Sequence, residues 1–198
     1  MHWVRITPHY IIVDNHTIDT HSAGGELLKE VYRKHIGGYP KFFKMDGLCR
    51  LGFVASELLL QLETPRKTDC EDRAVVFYNR TGSLCDDAEY QHTIDDTANY
   101  YPSPSIFVYT LPNIVTGEIA IRNKYYGETM FGVLPAFDPQ VIVEGTTHLF
   151  QDPVTSSAIT GWLDCTDRDH YDALVVVTRK GDPDFDAATL AKLYNTSA

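Results

Sequence analysis

The chain is short of positive charge. Its 198 residues hold 17 Lys and Arg against 27 Asp and Glu, a formal net charge of −10. Nucleic acid and anionic membrane both call for a basic surface, so neither is expected as a partner. No apolar run approaches the roughly 18 residues that a membrane span needs. The opening "MHWVRITPHYIIVDN" carries neither a basic leader nor a small-residue cleavage site. No signal peptide is read from it, and a cytoplasmic location is expected. The sequons at Asn15, Asn79 and Asn195 then have no meaning. Cysteine is sparse: Cys49, Cys70, Cys85 and Cys165, with no CxxC and no zinc spacing. A structural disulfide is not expected in a reducing compartment. Residues 86–164 contain no cysteine at all.

What is present is the composition of a globular protein, 43% hydrophobic and 12% aromatic. The length suits one domain with a sizeable core. The run "VRITPHYIIVDN" suggests one or two short strands broken at Pro8. "GGELLKEVYRKHIGG" (24–38) reads as a short helix between glycine stops. "MDGLCRLGFVASELLLQLE" (45–63) is the clearest helix, with Asp46 at the N-cap, Cys49 facing inward and Pro65 as the stop. "RAVVFYN" (73–79), "GETMFGVL" (127–134) and "ALVVVTR" (173–179) have the continuous apolar character of buried strands. Helices are expected at about 112–124, at 153–165 ("PVTSSAITGWLDC") and in "DFDAATLAKLYN" at the end. Residues 80–104 lack strong periodicity and read as an excursion loop, or as a surface that orders against something else. Residues 136–152 are ambiguous between helix and loop. The alternation of strands and helices points to an α/β protein with a largely parallel sheet.

Several residues invite an active-site reading, and each has a plainer one. Glu144 and His148, four apart, would share a helix face as an acid–base pair or as a surface contact. Ser156 and Ser157 lack a nucleophile elbow and suit a helix cap better. Asp14, His16, Asp19 and His21 are metal-ligand types in a solvated turn, and no metal site is expected there. Cys165 in "DCTDRDHYD" has acidic neighbours that disfavour a thiolate. The Tyr- and Pro-rich "ANYYPSPS" suits an interface, or packs on its own domain.

The stretch "SPSIFVYTLPNIVTGEIAIRNKYYGE" carries Ser103, Pro104, Phe107, Leu111, Pro112, Asn113, Gly117, Ile119, Ala120 and Gly127 in fixed order. In this it resembles the β-ketoacyl synthases of the thiolase superfamily. "FKMDGLCRLGFVASELLL", "RAVVFYNRTGSLCDD" and "DHYDALVVVTRKG" fit the same order, so the resemblance spans about residues 40–180. Residues 1–40 match poorly. The implied fold is α/β and thiolase-like, a single half spanning residues 1–198: one α-β-α unit with a mostly parallel mixed sheet.

Ketosynthases attack through a cysteine thiolate at a helix start. Counted from Gly127, that position falls at Ala136, and the cysteine gap makes the loss independent of alignment. The two histidines supplied by a ketosynthase's second half are likewise not found. The resemblance therefore implies a pseudoenzyme like a chain-length factor, with no catalytic residue and no cofactor or metal. Its partner would be a full-length ketosynthase, or a second copy of itself, with acyl carrier protein engaged only indirectly. The strand opened by Gly127 lies at the family's dimer centre, so Thr129, Met130, Phe131, Val133 and Leu134 become interface residues. The alternative is a stand-alone acyltransferase or thioesterase using a non-cysteine nucleophile on the same fold.

Overall fold

The computed structural model describes residues 1–198. Its centre is a seven-stranded sheet: β1 (His2–Ile6), β2 (Ile11–Val13), β3 (His16–Thr17), β4 (Arg73–Asn79), β5 (Thr129–Val133), β6 (Ser157–Cys165) and β7 (Tyr171–Arg179). The spatial order is β3-β2-β1-β7-β6-β4-β5. Strands β4, β6 and β7 are apolar on both faces because both faces are covered. Val75, Phe77, Ile159 and Val175 turn to one core, while Val76, Trp162 and Val176 turn to the other. Pairing is parallel between β5, β4 and β6. It is antiparallel from β6 through β7, β1 and β2 to β3. The sheet is thus mixed as expected, but less parallel than expected. The poorly matched N-terminal residues supply three of the antiparallel strands.

One core face is covered by α1 (Gly24–Val31), α2 (Gly47–Leu60) and α5 (Ile114–Asn123). Asp46 caps α2, accepting from the Leu48 and Cys49 N–H groups at 3.0 and 3.2 Å. Helix α2 is buried nearly all round, including Glu57. That carboxylate bonds Arg66 (3.0 Å) and Asn123 (2.9 Å), which ties α2 to α5. The other core face is covered by α6 (Pro139–Leu149) and by α7 (Ala187–Tyr194), the latter capped by Asp186. The segment 136–152 therefore resolves as a helix from Pro139.

Residues 153–165, expected as helix, instead form β6. The Ala, Leu and Trp content misleads because the strand is central and buried on both faces, which erases any period-two signal. Gly161 marks it as strand. Its φ is +145°, and a Cβ there would overlap the Leu174 carbonyl of β7. The aperiodic excursion also contains helix: α3 (Leu84–His92) and the single turn α4 (Pro104–Phe107), beyond the carboxyl end of β4.

Candidate functional site

The end of β5 is where the resemblance would put an attacking group. Leu134 N–H still bonds the Asn79 carbonyl (2.8 Å), and then the chain leaves the sheet. Pro135 and Ala136 are exposed. Phe137 turns inward, stacked on Tyr194 with ring centroids 3.9 Å apart and edge-on to Trp162 at 6.0 Å. Tyr194 is itself held: its hydroxyl donates to Asp172, which also bonds Arg5, and the Arg5 guanidinium lies 4.5 Å over the Tyr194 ring. Arg5 Nε donates to the Tyr194 carbonyl at 2.8 Å. The next element, α6, has its first free N–H groups taken by Asp138, which accepts from Gln140 and Val141 at 3.0 and 3.2 Å. A helix N-terminus stabilises a thiolate or oxyanion through those donors. Here a carboxylate already occupies them, and the methyl of Ala136 has nothing to transfer.

A second place was not legible in the sequence. Beyond the carboxyl ends of the parallel strands β4 and β6 lies a cavity of about 460 Å³. Ligands of open α/β sheets favour such a position, where neighbouring connections diverge. Asp46, Cys85, Asp86, Tyr109, Cys165 and Tyr171 are among its lining. Burial, reinforced by the charge of Asp46, lifts the Asp86 carboxyl to about 8. Burial, followed by the Asp46 charge, pushes the thiols of Cys165 and Cys49 up. Burial and Asp86 do the same for Cys85. For Cys165, burial thus outweighs the acidic neighbours singled out in the sequence. All four cysteines are free. The cavity offers hydrogen-bond donors and acceptors but no thiolate. Asp86 escaped notice because it sits in the stretch without periodicity. Only the Ser83–Leu84 start followed by the acidic first turn of α3 hinted at a helix there.

The remaining candidates separate. Glu144 bonds Gln140 (2.7 Å), and both Glu144 and His148 are exposed. Ser156 caps nothing: its hydroxyl donates to Asp72, which also accepts from Cys70 Sγ at 3.2 Å. Ser157 lies in β6, bonded to Arg73 Nε (3.0 Å). Asp14 is engaged by His2 and by the Trp3 N–H, and Glu30 binds the His21 N–H. No group of three metal-ligating side chains forms there.

Strand β5 ends the sheet, so one of its edges is unpaired. Val75 N–H bonds the Glu128 carbonyl, and Leu134 N–H bonds Asn79. By the two-residue alternation, the N–H groups of Thr129, Phe131 and Val133 point to the open edge. Gly127 lets the chain enter beside β4, since a Cβ would overlap the Arg73 carbonyl. Ser103 caps α4 with Pro104 in its first turn, and Pro112–Asn113 precede α5. Phe107 and Leu111 are exposed. Gly117 has nothing within 4 Å of a Cβ position, so its place in the motif has no packing reason here.

These features define the class by fold: the chain is a thiolase-like α/β protein. No family model matches it, and no curated protein does either. Solved structures do. One is the ketosynthase ApeO in complex with its chain length factor ApeC from Xenorhabdus doucetiae, at 14% identity and a TM-score of 0.59, covering 91% of this chain and 78% of that one. Another is the ishigamide ketosynthase/chain length factor, at 16% identity and a TM-score of 0.59, covering 88% of this chain and 60% of that one. At such identities the likeness carries the fold. No helix is long and apolar enough to cross a membrane.

Proposed function

We propose that this chain is a non-catalytic ketosynthase-like subunit. It pairs, through the open edge of β5, with an active β-ketoacyl-ACP synthase in fatty-acid- or polyketide-type chain building, such as that of an aryl polyene or a flexirubin-like pigment. One observation carries the reading. The turn after β5 is built as packing, with Phe137 clamped by Tyr194 and the α6 donors taken by Asp138, while the strand leading to it keeps an unpaired edge. An open edge invites association unless a partner covers it. Similar folds occur in structures of a ketosynthase with its chain length factor, which supports a ketosynthase as that partner. Acyl carrier protein is then engaged through the partner. The acyltransferase or thioesterase alternative gains no support, since the turn after β5 offers only the methyl of Ala136 and burial holds the cavity's thiols protonated.

Co-expression with the full-length ketosynthase encoded beside it tests this. A single complex is expected on size-exclusion chromatography. Phe131→Pro, which removes an outward N–H without touching a bond to β4, is expected to abolish the complex while thermal unfolding stays cooperative. Two separate species from the wild-type pair would sink the reading.

A further inference from the structure

The net charge of −10 is not spread evenly along the sequence. Residues 81–167 hold twelve Asp and Glu and only two Lys and Arg, while the other 111 residues hold fifteen of each. The whole imbalance lies in the segment that contains α3, α4, β5 and α6. Between Arg80 and Arg122 there is no Lys or Arg at all. In that stretch Asp87, Glu89, Asp95 and Asp96 are exposed. Asp95 is met only by Gln91 and by His92, whose ring nitrogen lies 3.5 Å away.

The same stretch exposes large apolar side chains. Leu84 is 62% accessible, Tyr101 76%, Phe107 53% and Leu111 52%. On α3, Leu84 and Asp87 are three residues apart and share a face, so the acid borders the apolar surface directly. This surface adjoins the β5 edge. Val133, 59% exposed at the end of the strand, approaches Gly82 at the start of the excursion, where a Cβ would sit 3.9 Å from its Cγ2. Glu128 and Asp138, both exposed, flank the strand at its two ends. The result is an apolar patch bordered by acids and lying beside an unpaired edge, with Arg80 at its start and Lys44, Arg50 and Arg168 lining the cavity behind Glu89.

We infer that this face selects against a second copy of the chain and for a protein partner whose own strand edge has an apolar centre rimmed by Lys and Arg. The inference deepens the proposed function and rests on it for the partner's identity. A two-fold self-pairing presents one patch to itself, so every exposed acid here would meet the same acidic field. Like charges brought together across an interface are costly, whereas opposite ones speed encounter and fix register. The apolar patch supplies the association, and the rim decides with whom.

The test compares the wild-type chain with a neutralised variant carrying Asp87→Asn, Glu89→Gln, Asp95→Asn and Asp96→Asn. Thermal unfolding first shows that the variant folds. Sedimentation velocity of each chain alone is then run at low and high NaCl. The wild type is expected to be monomeric at low salt and to self-associate at least about tenfold more tightly at high salt, where the rim is screened. The variant is expected to reach that self-association at low salt. Against the ketosynthase, the wild type is expected to bind about tenfold more weakly at high salt, and the variant about tenfold more weakly than the wild type at low salt. A wild-type dimer at low salt overturns the inference. So does a variant that stays monomeric throughout, or one that binds the ketosynthase as tightly as the wild type. Failure of both chains to bind the ketosynthase at any salt defeats the proposed function instead, and the salt response of each chain alone still reads the charge effect.

Discussion

Strand β5 delivers the chain to two places that end differently. Its carboxyl end runs into a turn in which every strong group is matched: Phe137 on Tyr194, Tyr194 on Asp172, Asp172 on Arg5, Asp138 on the α6 N–H groups. Its outer edge leaves N–H groups unpaired and continues into exposed tyrosines, leucines and acids. In an enzyme of this architecture the first place would be reactive, hence open and strained, and the second would be interior to a dimer. Here the first is finished as structure and the second is unfinished. Buried polar groups that are fully satisfied stabilise and specify a fold. An unpaired edge beside apolar surface is tolerated when something covers it.

The largest effect that separates the two places is a matched pair of truncations. Tyr194→Ala removes the ring stacked on Phe137 and lying under Arg5, and takes a hydrogen-bond partner from Asp172. It is expected to cost about 3–5 kcal/mol, or on the order of 10 °C in Tm for a chain of this size. Phe107→Ala deletes a comparable ring from the excursion, where it is already half exposed and touches Tyr90 at 5.3 Å. That change is expected to cost under about 1 kcal/mol. Calorimetry of both variants is the check. Equal losses would erase the distinction between a finished and an unfinished region.

Most of the fold was open to a reader of the sequence. Helix α2 announces itself through Asp46 and its leucines, and β4 and β7 through unbroken apolar runs. Strand β6 was hidden for a physical reason. A central strand buried on both sides has no alternation, and Ser156–Ser157 beside Ala158 imitate a helix start. The site divides the same way. The resemblance puts the attacking position at Ala136 because the glycine at 127 sets the register, and no cysteine lies in the gap. The clamp on Phe137 was not legible, since Arg5, Asp172 and Tyr194 are far apart in the chain and meet only through the antiparallel β1–β7 pairing and the docking of α7. The Asp46–Asp86 pair is of the same kind, joining an obvious cap to an acid in a stretch without pattern.

That pair predicts a pH dependence of intermediate size. The Asp86 carboxyl is lifted from the ordinary 3.8 to about 8 by burial and by Asp46. Between those values the folded chain holds a proton that the unfolded chain has released. Stability therefore falls as the pH rises from about 4 to about 8, since it follows the protons bound in the unfolded state less those bound in the folded state. Asp86→Asn removes this slope at nearly the same side-chain volume. The variant is expected to gain roughly 2 kcal/mol at pH 8, a rise of about 4–8 °C in Tm, and nothing at pH 4. Denaturation across that range decides it. A gain at pH 8 no larger than at pH 4 would mean that the Asp86 carboxyl is not lifted by its burial.

The smallest expected effect addresses the finished place itself. Ala136→Cys restores a thiol at the position where the resemblance puts the nucleophile. The side chain is exposed and replaces a methyl, so stability should change by less than about 0.5 kcal/mol. Reactivity should not follow. A nucleophilic thiolate requires a depressed pKa, and the donors at the start of α6 that would lower it already bind Asp138. The new thiol is expected to react with iodoacetamide as an ordinary exposed cysteine does, with a rate that rises through about pH 8–9. It is expected to take no acyl chain from a long-chain acyl-CoA, as read by intact mass. Asp138→Ala on the same background frees the donors and should lower the pH at which alkylation begins, by about half a unit to one unit given the size of such helix-end effects. An acyl adduct on Ala136→Cys alone would show that the turn after β5 remains a reaction site missing one atom rather than packing that has replaced it.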